Sequence, residues 1–413
     1  MEVTPAPRWR SWLLLILCSG SILISLGAAV LLFAIDGIQN IASVSAADLA
    51  PLSNLIWFLL PVAALCIPAV VLSIRELSHR TVPPTLSRQH FRLASSAMLV
   101  WIVLVVLFKV FENFNASSWF LSPLILIAAI IPLWWFVEFA RHGVADRKPA
   151  RVWKLAGFSL AVTVPATLVV STLVMVILLI GLAVYIMLQP GAAQQIQTYL
   201  QQLSNPNLNP LEIESQFNQW LQNPAVLVGL LGLIAGVFPL IEELLKTLGV
   251  WLFTGERLTS AEGFISGAVC GASFALWENL SVLSSAGDAT AITLVVRVGT
   301  GLLHIVTAGM IGWGIASAVN SRRNIPRLVG AYLAGGLLHC TWNAASIFVG
   351  AGTYFIPPGT ALVEGKVISG IAVGVLVAIF MINLTLLSLF NHRLRVHAPD
   401  AEGVSVPVSQ PGA

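Results

Sequence analysis

Charge is what this chain has least of. Only 9% of its 413 residues are Asp, Glu, Lys or Arg, against 57% apolar residues and a mean hydropathy of +0.89. A water-soluble domain carries about 25% charge, so a surface wetted on all sides is excluded. Cysteine is scarce as well. Cys18, Cys66, Cys270 and Cys340 each fall in an apolar stretch without paired spacing. That excludes a disulfide framework or a cysteine-rich metal knot and leaves small core residues. His-Glu-x-x-His does not occur, so the strongest signature of a helical zinc hydrolase is missing. No internal repeat relates two halves of the chain, as transporters often show.

Apolar runs, by contrast, recur along nearly the whole chain. About 18 or more such residues can cross a hydrocarbon layer roughly 30 Å thick as a helix. Ten spans are predicted: Trp12–Ile35, Leu52–Ile74, Ala94–Phe111, Trp119–Ala140, Leu155–Leu188, Ala225–Leu252, Gly263–Leu283, Ile292–Val319, Leu328–Val349 and Val367–Phe390. The expected fold is therefore an all-α, polytopic transmembrane helical bundle. Arg8 and Arg10 precede the first run as in a signal peptide. The run exceeds the roughly 7–15 residues of a signal h-region, so a retained helix is expected.

Basic residues orient the spans. With both termini cytoplasmic, 17 of the 21 lysines and arginines fall on the inner side, Lys366 alone falls outside, and Lys109, Lys246 and Arg297 fall within spans. This is the positive-inside asymmetry, and removing any one span breaks it. Four regions follow: an amino-terminal five-helix region at 1–188, an extracytoplasmic polar segment at 189–223, a second helical bundle at 224–395, and a tail at 396–413. The polar segment is rich in Gln and Asn and has no basic residue. Its apolar positions, from Ile196 to Leu203 and from Phe217 to Leu221, have helical spacing. Short helices along the outer membrane face and a solvated connector are both compatible with it. The tail, rich in Pro, Val, Ser and Gly, is expected to be disordered.

Ionisable groups in mid-bilayer cost roughly 2.5–3.5 kcal/mol each on insertion scales and mark function when they cluster. The first five spans carry theirs near helix ends, where long side chains reach the headgroups. The later spans differ. Glu242, Glu243 and Lys246 lie in the sixth, Glu278 in the seventh, Arg297 and His304 in the eighth, and His339 in the ninth. Glu243 lies about ten residues from the inner end of its span, His339 about eleven, and Glu278 and His304 about fifteen. At 1.5 Å per residue, all fall roughly 15–22 Å deep.

Spacing within each helix favours convergence. Glu242 and Lys246 are four apart and are expected to pair, with Glu243 on a neighbouring face. Phe274 and Glu278 are also four apart, as are His339 and Asn343, while Arg297 and His304 are two turns apart on one face. Gly263, Gly267 and Gly271 form a ladder of small residues that lets helices approach closely. Pro239, one turn before Glu242, is expected to kink its helix and free carbonyls near the site.

Carboxylates, imidazoles and an amide shielded by lipid suit hydrolysis. A Glu can take a proton from water during attack on a carbonyl. A His or Asn can stabilise the oxyanion. Alternatively, Glu243, Glu278, His304 and His339 could hold one zinc ion, whose water would be the nucleophile.

The motifs Glu242-Glu243-Leu-Leu-Lys246, Phe274-Ala-Leu-Trp-Glu278-Asn279, Arg297 seven residues before His304, and His339-Cys-Thr-Trp-Asn343 run in this order on successive helices. Together they resemble the PrsW family of intramembrane proteases over about Ala225 to Val349. More distantly, the chain resembles the CAAX-endopeptidase and bacteriocin-processing superfamily. That branch expects Arg one place after Lys246 and His where Glu278 stands, so both departures favour PrsW.

The resemblance implies a multi-pass protein of a bacterial cytoplasmic membrane. It also implies site-1-type cleavage of membrane-anchored protein substrates such as anti-sigma factors. The catalytic pair would be Glu242 and Glu243, with Glu278, His304 and His339 completing the centre, and with or without metal. Lys246, Asn279, Arg297 and Asn343 would support it. The expected partners are lipid and a membrane-anchored protein, with no nucleic acid. Two other classes stay open on the residues themselves. Glu and His chains also serve a proton-coupled transporter, and the same helices would serve a catalytically inactive membrane scaffold.

Overall fold

A backbone crossing lipid finds no water to bond, so each crossing must satisfy its own amides as a helix. The computed structural model describes residues 8–41, 46–80, 90–111, 118–144, 148, 150–188, 194, 197, 224–256, 258–286, 289–351 and 362–396, and no strand occurs among them. Helices α1 (Arg8–Ile41), α2 (Ala46–Leu77), α3 (His90–Phe111) and α4 (Ser118–Arg141) are the first four predicted spans. The fifth is α5 (Arg151–Phe158) joined to α6 (Val164–Met187) through a π-helical turn at Ser159–Thr163. The sixth is α7 (Pro224–Leu231), a π-helical turn at Gly232–Val237, α8 (Phe238–Leu245) and α9 (Leu248–Phe253). Then follow α10 (Ser260–Leu283), α11 (Thr290–Asn320), α12 (Ile325–Ala351) and α13 (Leu362–Val396). Apart from 194 and 197, the polar segment 189–223 lies outside the described residues, as does the tail from 397.

Among the described residues, ten helical rods thus stand where ten spans were expected, and eight are long and apolar enough to cross a membrane by length and composition. The two that are not, α10 and α12, carry Glu278 and His339. Glycines and polar side chains dilute their apolar character; protein neighbours bury most of α10, whereas α12 turns Val329, Leu333 and Leu337 outward. The central rod is α11, which packs against α3, α4, α10, α12 and α13.

Close approach of α10 and α11 fixes the centre. A Cβ built on Gly263, Gly267 or Gly271 would collide with the carbonyls of Gly312, Ala308 and His304 respectively. Two i,i+4 rows therefore touch backbone to backbone, as small residues permit in membranes. The third rung lies at His304 itself, so the ladder sets how far that imidazole stands from α10.

At the end of the bundle where α10 begins, polar contacts tie the two halves together. Thr259 and Glu262 form a capping box at the start of α10, satisfying two backbone donors that would otherwise be orphaned. Glu262 also lies 3.5 Å from Arg151 of α5. Lys154 of α5 pairs with Glu76 of α2, which accepts from Ser11 of α1 at 2.8 Å. Asn391 of α13 reaches the carbonyls of Phe139, Ala140 and His142 at 3.0 Å.

Gly267→Ala should therefore lower stability by about 1–3 kcal/mol, the range for overpacking, because the obstacle is backbone. Gly229→Ala, with nothing near its Cβ position, should shift it by no more than about 0.5 kcal/mol. Reversible unfolding of the purified protein in mixed detergent micelles reads both.

Candidate active site

The site begins with a helix defect. Pro239 has no N–H to give to the preceding turn, and the turn before it is π-helical, Gly232–Val237. Donors from α12 take up carbonyls along this stretch: Asn343 Nδ2 reaches Ile234 O at 3.3 Å, Cys340 Sγ reaches Gly236 O at 3.6 Å, and Tyr332 Oη reaches Leu240 O at 3.0 Å. The expected disturbance at Pro239 is therefore a widened turn with exposed carbonyls, and α12 stitches itself onto it. Asn343 serves that seam and lies outside the central polar cluster.

This seam turns Glu243 fully inward, while Glu242 keeps 22% side-chain exposure. The expected Glu242–Lys246 pair does not form. Lys246 pairs with Glu243 instead, at i,i+3, and both side chains are fully buried. Three residues apart also share a helix face. A carboxylate without solvent needs the cation far more than one at the rim does.

From that pair the polar groups run outward in two directions. Glu243 Oε1 accepts from Lys246, from Thr307 Oγ1 at 3.0 Å and from His339 Nδ1 at 2.9 Å. His339 Nε2 then lies 3.5 Å from Glu242 Oε2. In the other direction, Lys246 Nζ donates to Thr307 Oγ1 at 2.8 Å and lies 3.3 Å from His304 Nδ1. His304 Nε2 is 2.6 Å from Glu278 Oε2. Arg297 clamps Glu278 through Nη1 and Nη2, each at 3.1 Å, and its Nε donates to Asn279 Oδ1 at 2.6 Å.

These partners assign the ring protons. His304 donates from Nε2 to Glu278 and accepts at Nδ1 from Lys246. His339 donates from Nδ1 to Glu243, leaving the Nε2 lone pair on the Glu242 side. The two rings stand edge to face with centroids 4.8 Å apart, and Phe274 backs His304 at 5.2 Å.

Glu242, Glu243, Glu278, His304, His339, Lys246, Asn279 and Arg297 thus form one connected cluster from four rods. Its buried members, Glu243, Lys246, His304 and His339, are 0–2% exposed, whereas Glu242 and Glu278 reach its rim at 22% and 36%. Sequence reasoning missed Thr307, which bridges Glu243 and Lys246. Its signal was a hydroxyl one turn after His304, on the same face.

Glu243, His304 and His339 each offer a ligand atom within 4.8 Å of the others. Glu243 Oε2 is buried without a hydrogen-bond partner among the described residues. Gly335 packs beside it: a Cβ there would lie 3.6 Å from that oxygen and 3.3 Å from Thr307 Cβ. A carboxylate and two imidazoles are a zinc-type donor set, and the orphan oxygen fits an ion. Glu278 is outside this group, held by Arg297 and His304. Lys246 presses its ammonium against the same donors, so a metal there requires that side chain to withdraw.

The sequence profile described as PrsW family intramembrane metalloprotease matches residues 158–386, which include every member of the cluster. No curated protein and no solved structure gives a match.

Removing one partner of a buried ion pair costs about 3–5 kcal/mol, so Lys246→Met should destabilise the protein by that order. The double variant Glu243→Gln with Lys246→Met should be clearly more stable than the sum of its single changes, because no charge is then left unpaired. A double-mutant cycle on detergent unfolding measures the coupling.

Proposed function

The chain belongs to the PrsW family of intramembrane metalloproteases, and from that membership we propose that it cleaves membrane-anchored protein substrates at the Glu242–Glu243–His304–His339–Glu278 cluster. The observation carrying this reading is a single chain of acids, bases and cations in hydrogen-bond or ion-pair contact, buried at its middle and open at Glu242 and Glu278. A relay with one accessible carboxylate at each end is what water activation beside an incoming peptide requires.

In this mechanism Glu242 is the general base. It is the carboxylate at the rim with the fewest bonds, and it takes a proton from water as the oxygen attacks the scissile carbonyl. The same proton then passes to the departing amine. His339, held by Glu243, stands behind Glu242. Glu278 is fixed by Arg297 and His304 at the opposite rim, and the cations Lys246 and Arg297 stabilise charge that develops on the substrate. Glu243, His304 and His339 would hold the metal ion that the family description implies, and their donor set suits zinc. Bound there, zinc would polarise the water and the carbonyl. A metal-free glutamic mechanism is the second reading, favoured by the Lys246 ammonium already lying against those donors.

The substrate class follows the family: single-pass proteins cut in a site-1-type step, with anti-sigma factors as the signalling example. Residues 224–395 form the catalytic bundle in this reading, 1–188 a separate membrane region, and 189–223 an extracytoplasmic connector. By the distribution of basic residues, both termini face the cytoplasm of a bacterial cell.

Glu242→Gln and His339→Ala should each slow cleavage at least about 100-fold, the low end for losing acid–base catalysis, with unchanged protein abundance. Proteomics of truncated single-pass proteins in cells expressing wild type or variant reads this, and normal cleavage by both variants would end the protease reading. About one zinc per chain, with activity lost to a chelator and restored by zinc, selects the metal mechanism. Full activity after zinc is stripped selects the glutamic one.

A further inference from the structure

Away from the cluster, α2, α4, α5 and α10 enclose a cavity of about 440 Å³ that the mechanism leaves unused. Its deep end is hydrocarbon: Leu65, Ile130, Leu133 and Leu276. Its mouth is polar, with His90 at the start of α3 and Glu138 and Arg141 at the end of α4. From Arg141 to Ile130 is eleven residues of one helix, roughly 16 Å at 1.5 Å per residue. That equals one leaflet, half of a hydrocarbon core about 30 Å thick.

The lining narrows the occupant. Water needs two to four polar partners, which the deep end lacks. A peptide would leave its own amides unpaired there, at several kcal/mol each. A hydrocarbon chain brings no such groups. At the mouth, Glu138 accepts from Arg141 Nη1 at 2.9 Å, while the Arg141 side chain keeps 19% of its surface exposed and makes no other hydrogen bond among the described residues. A guanidinium edge with an unused donor suits a phosphate oxygen.

We propose that this cavity binds one membrane phospholipid, an acyl chain filling it to mid-bilayer and the phosphodiester held at Arg141. The lipid lies against Val269, Ala272 and Ser273 of α10, the helix whose far end carries Glu278. It is thus a structural lipid behind the site, and its binding does not depend on the protease reading.

The test is native mass spectrometry of the full-length protein in detergent, first delipidated and then titrated with a diacyl phospholipid. Arms with a fatty acid and with inorganic phosphate separate the two halves of the ligand. The expected result is saturation at one tightly retained phospholipid per chain, with fatty acid at least tenfold weaker and phosphate alone not retained. Arg141→Gln should weaken the phospholipid at least tenfold while leaving fatty acid unchanged. Ala272→Phe, which fills the cavity, should abolish both, whereas Leu173→Phe on lipid-exposed α6 should change neither. A graded series of weak adducts on wild type, with no retained species, would overturn the site without any variant having to fold. Equal binding of fatty acid and phospholipid would overturn the assignment to Arg141.

Discussion

A charge without water must find its counter-charge inside the protein, and the Glu243–Lys246 pair is where this chain meets that demand. Both side chains are fully buried. Low dielectric makes their attraction strong and their separation very costly. Every other polar group in the cluster is placed relative to that pair. Thr307 and His339 complete the bonds of Glu243 Oε1, and His304 receives the far side of the ammonium. Glu278 is held in turn by Arg297. Glu243 Oε2 is left without a hydrogen bond among the described residues, and an unsatisfied buried oxygen in a site of this kind is where a metal or a water fits.

Two backbone devices allow four helices to deliver these groups to one level. The Gly263–Gly267–Gly271 ladder removes side chains between α10 and α11, so Glu278 and His304 meet across a backbone contact. The Pro239 defect does the opposite on the other flank. It opens carbonyls that bind donors of α12 and thereby brings His339 against Glu243. Neither device is catalytic. Both convert chain geometry into the short distances that proton transfer requires.

The amino-terminal helices contribute a wall. Helices α4 and α5 back α10, with α2 packed behind them, and the polar contacts of Glu76, Lys154, Arg151 and Glu262 tie them to its first turn. The seventh rod, too polar to be a good lipid-facing span, is therefore shielded by protein along most of its length.

The all-helical class, the positions of the ten helical rods and the identity of the polar residues were readable from composition and hydropathy alone, because hydrocarbon admits few alternatives to an apolar helix and makes every buried charge conspicuous. The residues Glu242, Glu243, Glu278, His304 and His339 were legible for that reason, as was the helix defect at Pro239. Who pairs with whom was not. Spacing of four and spacing of three place residues on the same face, so Lys246 could serve either glutamate. The rotation of α8 against α12 decided for Glu243. Likewise Asn343 matched a motif yet went to a carbonyl of the π-helical turn, and Thr307 carried no motif yet sits between the two central charges. Periodicity reports which face of a helix a residue occupies. Only packing of one helix on the next decides what that face meets.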